Sequence, residues 1–415
     1  MVTTVPLFGT SRETVLYDFQ DNNYDGNQPM STLIANAAGI LYGTTSGGGI
    51  SGCNGSGCGT VFELTPGAGG KWTETVLYSF TGGGDGAAPG GALIFDANGN
   101  LYGTTGAGGA SGWGTVFELT PVAKDKWVER VLHSFSNNGK DGVDPNGGLM
   151  FDTAGNLYGT TSFGGIYGYG TAFELTPVAD VRWTEKVLHS FNSNGKDGYE
   201  PKGGLVLDPA GSLYGTTIYG GAFSEGTVFQ LSPETGGVWK ETVLHDFCAK
   251  SVCPDGFWPA AGLVFDTAGN LYGTTEYGGA YYKHTYSYGT VFQLTRGTNG
   301  QWTETVLHSF RQYHRGGQVP QAALILDTSG NLYGTAGGGY HGGGVAFQLM
   351  PGLGGKWTEN VLYSFCAKSG CTDGNGLAGG LLLDAAGNLY GTTINGGTGK
   401  GCNGLACGTV FEITP

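Results

Sequence analysis

Charge is scarce in this chain of 415 residues: 13% are Asp, Glu, Lys or Arg, and 33 acidic groups against 19 basic ones leave a net charge of −14. A phosphate backbone would gain no electrostatic drive from such a surface, which excludes nucleic acid as a partner. No uninterrupted apolar run approaches the ~18 residues of a membrane helix. Met1 to Thr10 has neither a basic n-region nor an apolar h-region, so neither a membrane span nor an export signal is expected within these residues. No segment sustains a helical period, and essentially no helix is expected. Nucleophile elbow, phosphate loop and dinucleotide fingerprint are missing in the strand-helix context each requires.

Glycine is what the chain has in excess, 83 residues or 20% against roughly 7% in an average protein. No Gly-x-y period runs through it, which excludes collagen, and 12% aromatic residues supply a large core, which excludes disorder. The glycines belong to a repeat. LYGTT starts at Leu41, Leu101, Leu157, Leu213, Leu271 and Leu389, and LYGTA at Leu332, at intervals of 60, 56, 56, 58, 61 and 57 residues. That period suits four short strands with their turns, one propeller blade per unit. In the second unit, alternation predicts strand A at 92–95, B at 101–105, C at 115–120 and D at 127–135, with Asp96-Ala97-Asn98-Gly99-Asn100 as the A–B turn.

The two ends complete one another. The segment from Glu13 to Phe19 matches a D strand without its own A, B and C, whereas 381–384, 389–393 and 409–414 supply A, B and C without a D. The expectation is an all-β, seven-bladed β-propeller with four antiparallel strands per blade. Residues 1–415 would form a single domain in which the N-terminal strand 13–19 closes the blade made by 379–415 and removes the open edges.

The eight cysteines form four pairs of identical spacing: Cys53 and Cys58, Cys248 and Cys253, Cys366 and Cys371, Cys402 and Cys407. Four local disulfides within loops, in an oxidising compartment, are expected. Zinc is the competing reading, but no pair has the CxxC spacing of a zinc ribbon. Both loop classes that carry the pairs, B–C and D–A, open on one face of a propeller.

LYGTT, GTVFELTP, WTETVLYSF and the DGxxP loop together resemble the GloVer-type tandem repeat of exported bacterial proteins (choice-of-anchor tandem repeat proteins). The resemblance covers nearly the whole chain. It implies an extracytoplasmic location, secreted, periplasmic or at the cell surface, and it carries over no catalytic residues. The sequence reaches Pro415 without an anchor segment, and none is expected within these residues.

A repeat is its own control: a residue present in most blades reads as structural, and one confined to a sector as functional. Trp72, Trp127, Trp183, Trp239, Trp302 and Trp357 begin strand D, and His133, His189, His245 and His308 replace Tyr17 and Tyr78 within it. Both sets read as packing. Asp25, Asp85, Asp141, Asp197, Asp255 and Asp373 recur near the start of the innermost strands. A carboxylate ring near a central channel could bind calcium; the favoured alternative is an Asx-type turn, because each Asp precedes Gly.

Three histidines stand off the repeat, His284, His314 and His341, in loops of blades 5 and 6 that also carry Lys283, Arg311, Tyr313, Arg315 and Tyr340; there Gly316 replaces the recurring Asp. A basic sector on an acidic protein suits an anionic ligand, three converging imidazoles suit a transition metal, and loop decoration is the plain alternative. Aromatic residues gather on the adjoining blades: Trp113, Phe163, Tyr167, Tyr169, Tyr219, Trp258, Tyr277, Tyr281, Tyr282, Tyr286 and Tyr288. Such rings stack on sugars, or fill space between long loops.

The leading expectation is a secreted, monomeric propeller that binds a polysaccharide or oligosaccharide, one with acidic groups, on its loop-rich face. The second is an enzyme on the same ligand. A lyase would use Arg311 or Arg315, His284 or His314, and Tyr313 or Tyr340 for carboxylate neutralisation, base and acid. A glycoside hydrolase would use the off-repeat carboxylates Glu225 and Glu276. The third is a surface interaction scaffold; the fold alone does not choose among them.

Overall fold

The computed structural model describes residues 11–20, 22, 24–50, 52–123, 126–178, 182–281, 288–311, 316–399, 402 and 406–414. The chain is a seven-bladed β-propeller. Blade 2 is representative: strand A (Ile94–Phe95) pairs with B (Leu101–Ala107), B with C (Thr115–Ala123), and C with D (Lys126–Ser134), all antiparallel. Strands B and C run slightly longer than alternation suggests, D begins and ends one residue earlier, and A is shorter. Among the described residues there is no α-helix, only five single 3-10 turns.

The Gly of LYGTT answers a close approach. A Cβ at Gly103 would lie 2.6 Å from Cζ of Phe117 on strand C, and the same glycine in the other six blades meets its Phe at 2.5–2.7 Å. Gly103→Val is therefore expected to destabilise the protein by about 1–3 kcal/mol through overpacking. A lower denaturant midpoint at unchanged slope would show this; an unchanged midpoint would mean that Phe117 yields.

Beside that glycine, the Thr of strand B hydrogen-bonds the first Thr of strand C, as in Thr105 with Thr115 at 2.9 Å, both buried. Blade 6 loses both hydroxyls at once, carrying Ala336 opposite Val345. Deleting both partners leaves no orphaned polar group, which explains why the pair changes together.

Blades join through aromatic edges. The Phe ending each D strand packs on the strand C Phe of the next blade: Phe80–Phe117, Phe135–Phe173, Phe191–Phe229, Phe247–Phe292, Phe310–Phe347 and Phe365–Phe411. The seventh pair, Phe19–Phe62 at 5.2 Å, joins the N-terminal strand to blade 1. That strand, Arg12–Asp18, pairs antiparallel with Thr409–Thr414. The D-strand tryptophans pack as expected, Trp183 on Tyr102 and Trp239 on Tyr158 of the preceding blade.

All four cysteine pairs form disulfides within their own loops. Cys53 bonds Cys58 and Cys402 bonds Cys407 in B–C loops, while Cys248 bonds Cys253 and Cys366 bonds Cys371 in D–A loops. The second cysteine of each pair turns inward: Cys58, Cys253 and Cys407 are buried and Cys371 is half-buried, so these bridges anchor their loops to the blades instead of lying open on the face. This is the chemistry of an exported protein. No helix among the described residues is long and apolar enough to cross a membrane.

The recurring Asp residues sit elsewhere than near a central channel. The cavity of about 290 Å³ on the axis is lined by residues before and at strand A, among them Ser31, Gly91, Gly147, Lys202 and Gln321, and by none of those carboxylates. Each Asp instead meets the D-strand Tyr or His of the preceding blade at 2.9–3.3 Å: it accepts from the hydroxyl of Tyr17, Tyr78 or Tyr363, or pairs with Nε2 of His133, His189 or His245. The histidines read as packing are thus also polar partners.

Candidate functional site

The B–C and D–A loops meet on one face and are stitched together by backbone hydrogen bonds. Glu200 N–H donates to Tyr169 C=O at 2.9 Å, and Trp258 N–H to Glu225 C=O at 3.0 Å, each joining a D–A loop to the B–C loop of the blade before. Tyr199 in turn pairs in register with Tyr219, and Phe257 with Tyr277. These pairings set side by side six rings from blades 3 to 5. Centroid distances run Tyr169–Tyr199 5.1 Å, Tyr199–Tyr219 5.5 Å, Tyr219–Trp258 5.3 Å, Trp258–Tyr277 5.2 Å and Tyr277–Phe257 5.6 Å.

One backbone position recurs along this face in a left-handed conformation just before a proline: Gln28, Ala88, Asp144, Glu200, Trp258 and Val319, with φ between 51 and 62°. An L-residue held there costs roughly 1–2 kcal/mol. A shared strained backbone with a different side chain in each blade is what a display position requires. In blades 3 to 5 it presents Asp144, Glu200 and Trp258.

Carboxylates surround the ridge. Glu200, Glu276 and Glu225 all lie close enough to Tyr219 to raise its pKa, after burial. Burial also raises Glu225, against a hydrogen bond with Trp258, and raises Glu276, against Lys202 and a hydrogen bond from Gln321 at 3.4 Å. Lys202 lies 3.7 Å from Glu200, and both Lys202 and Gln321 line the axial cavity, so the ridge stands at its mouth.

The structure brings together Tyr169, Tyr219, Trp258, Tyr277, Glu225 and Glu276. Trp113, Phe163 and Tyr167 are exposed on the same loop class, 42%, 45% and 50% open, but outside the run of contacts. Phe163 holds the register place of Tyr219, and its partner is Val143 rather than a second ring. Tyr288 requires a correction: it is buried, 7% exposed, in the core between blades 5 and 6, and offers no ring to a ligand.

In blades 5 and 6, the Arg311 guanidinium stacks over Tyr281, 3.9 Å from the centroid, and hydrogen-bonds its hydroxyl. Tyr340 packs edge-on against His341. Tyr282, Lys283, His284, Tyr286, Tyr313, His314 and Arg315 lie outside the described residues, and with them most of the lyase constellation and the three-histidine cluster. Tyr199, Glu200, Lys202 and Phe257 were not among the expected site residues; comparing D–A loops blade by blade at the residue before proline would have found Glu200.

With ring, blades and loop face in place, the Gloeobacter/Verrucomicrobia repeat matches residues 5–126, 51–285 and 255–415. The chain belongs to this repeat family. No curated protein matches it. The extracellular domain of a one-component system from B. thetaiotaomicron is similar at 13% identity with a TM-score of 0.54, over 97% of this chain and 42% of that one. The chain thus spans less than half of that relative, and the likeness concerns the fold alone. An oxidoreductase of the glucose dehydrogenase kind from Thermus thermophilus aligns over 97% of this chain and 100% of its own, with 16% identity and a TM-score of 0.45. The Gloeobacter/Verrucomicrobia repeats supply the scaffold, and what differs between them, the residues of the ridge, forms the candidate site.

Proposed function

We propose that this exported propeller binds a polysaccharide along the aromatic ridge at the mouth of the axial cavity. The observation that carries the reading is the unbroken run of six rings in contact across three blades. Ring faces with polar edges suit sugar stacking, and carboxylates at their margin accept hydroxyl protons. The concentration of Glu200, Glu225 and Glu276 there favours a neutral glycan over an acidic one, because a uronate would meet like charge. An acidic ligand belongs instead to the Arg311 sector, where that cation is already engaged with Tyr281.

Binding of a panel of neutral and uronate-bearing polysaccharides tests this. Trp258→Ala is expected to weaken the best neutral ligand about tenfold, near 1.4 kcal/mol, with the fold intact by circular dichroism. Equal affinity of the Trp258→Ala protein, or preference for uronates, would sink the reading.

Glycoside hydrolysis is a second reading, favoured by two carboxyl groups of raised pKa flanking one tyrosine. New reducing ends that vanish in both Glu225→Gln and Glu276→Gln would establish it; binding without product leaves a lectin-like role.

A further inference from the structure

Every junction between blades repeats one polar arrangement. Beside the D-strand Tyr or His and its loop Asp stands a Glu from strand D of the following blade, whose Oε1 is buried without a hydrogen-bond partner: Glu74, Glu129, Glu185, Glu241, Glu304, Glu359 and Glu13. At six junctions this puts two carboxyl groups in one partly dry seam, where like charges repel strongly.

At two junctions the chain supplies a cation itself. Lys368 Nζ lies 2.7 Å from Oε2 of Glu13, whose side chain is wholly buried. Where Gly316 removes the loop carboxylate, Arg311 and Glu359 line one cavity, and a Cβ at Gly316 would fall 2.2 Å from the Glu359 oxygens, so that glutamate fills the vacated place. At the junctions of blades 2/3, 3/4 and 4/5, no Lys or Arg among the described residues is ion-paired with the facing carboxylates. An imidazole stands there instead.

At the first of these, Nε2 of His133 and one oxygen each of Asp141 and Glu185 lie within 4.8 Å of one another, in the wall of a cavity of about 760 Å³. The next two junctions carry the same residue types, His189 with Asp197 and Glu241, and His245 with Asp255 and Glu304, but among the described residues only the first set brings its three ligand atoms together. In them a second carboxylate oxygen also lacks a partner: Asp197 Oδ1, on a side chain only 9% exposed, and Asp255 Oδ1.

We propose that the junction of His133, Asp141 and Glu185 binds one divalent transition-metal ion, of the Zn²⁺ or Mn²⁺ class, that clamps blades 2 and 3. His133 gives its Nε2 lone pair, holding its ring proton on Nδ1, and Asp141 and Glu185 give one oxygen each, which neutralises the ion. An imidazole with two carboxylates suits these metals better than Ca²⁺ or Mg²⁺, which take oxygen sets. At the tyrosine junctions the phenol keeps its proton, donates it to the Asp, and is no ligand.

The repeat supplies the control. His133→Tyr installs what blades 1, 6 and 7 already carry, so it keeps the hydrogen bond to Asp141 and removes the ligand. Full-length protein without a His-tag, stripped with chelator and dialysed against Zn²⁺ or Mn²⁺, is expected to retain one equivalent by elemental analysis and to melt a few degrees higher than the stripped form. His133→Tyr and Glu185→Gln should each lose that equivalent, with stripped melting temperatures near wild type. Retention of no ion by the unsubstituted protein after dialysis, or undiminished binding by His133→Tyr or by Glu185→Gln, overturns the assignment; so does Ca²⁺ binding that His133→Tyr leaves intact, with Zn²⁺ and Mn²⁺ unbound.

Discussion

Removal of residues 1–19 is expected to lower the melting temperature by about 10 °C and to make the protein self-associate. The segment Arg12–Asp18 is the outer strand of blade 7, paired with Thr409–Thr414, and Phe19 behind it is wholly buried against Phe62 of blade 1. Losing one buried Phe costs about 3–5 kcal/mol, and each lost ladder hydrogen bond adds about 1 kcal/mol, so the deletion removes on the order of 10 kcal/mol. At about 2.1 cal/mol/K per residue of unfolding entropy, that is about 10 °C for a chain of this length. The bared edge of Thr409–Thr414 is then a template for a second chain. Calorimetry with light scattering measures both effects, and a synthetic peptide of residues 11–20 should reverse them. A truncated chain that stays monomeric and melts like the full one would mean that closure does not depend on this strand.

The architecture is legible because the sequence repeats it. Seven LYGT motifs give the blade count, and a D strand isolated at one end with an unmatched C strand at the other gives the closure. Identical Cys spacing gives the disulfides. The junction chemistry is not legible, for a reason built into the same logic. His133, Asp141 and Glu185 come from two blades and meet only across the ring. Their recurrence also marks each of them singly as scaffold, which hides the pairing of His or Tyr with Asp. Blade 6 holds the clue, since Gly316 appears where Arg311 is available to Glu359. The ridge is half legible. Tyr219 and Tyr277 depart from the repeat just after the LYGTT motif, whereas Tyr199, Phe257 and Trp258 lie in D–A loops of unequal length, where the following proline is the mark of register.

Raising the pH from 5 to 8 in the presence of chelator is expected to lower the melting temperature by about 5 °C. The junction carboxyls outside the proposed metal site carry the effect, among them Glu241 and Glu304, which burial raises to about 7. Burial first, and then the Asp25 carboxylate, pushes Glu74 up to about 8, from the usual 4.5. Burial and Asp85 bring Glu129 to about 7. Burial raises Glu359 to about 7 against the opposing pull of Arg311, with His308 3.6 Å away. A group raised on folding stays protonated in the native protein while the unfolded chain has already released its proton, so between pH ~4.5 and these values the native state binds more protons. Stability is then full below pH ~4.5 and falls by up to about 1.4 kcal/mol per pH unit per group as pH rises. Partial solvent access reduces this, so together they amount to several kcal/mol at most, or about 5 °C for a chain of this size. Glu74→Gln keeps a neutral group at every pH and should flatten the decline in part. A melting temperature constant or rising over this range would mean that the seams admit enough water to hold both carboxylates ionised. The same reasoning connects the seams to the metal: an ion bound at the His133 junction would hold both of its carboxylates ionised, so its stabilisation should grow over the same range in which the stripped ring weakens.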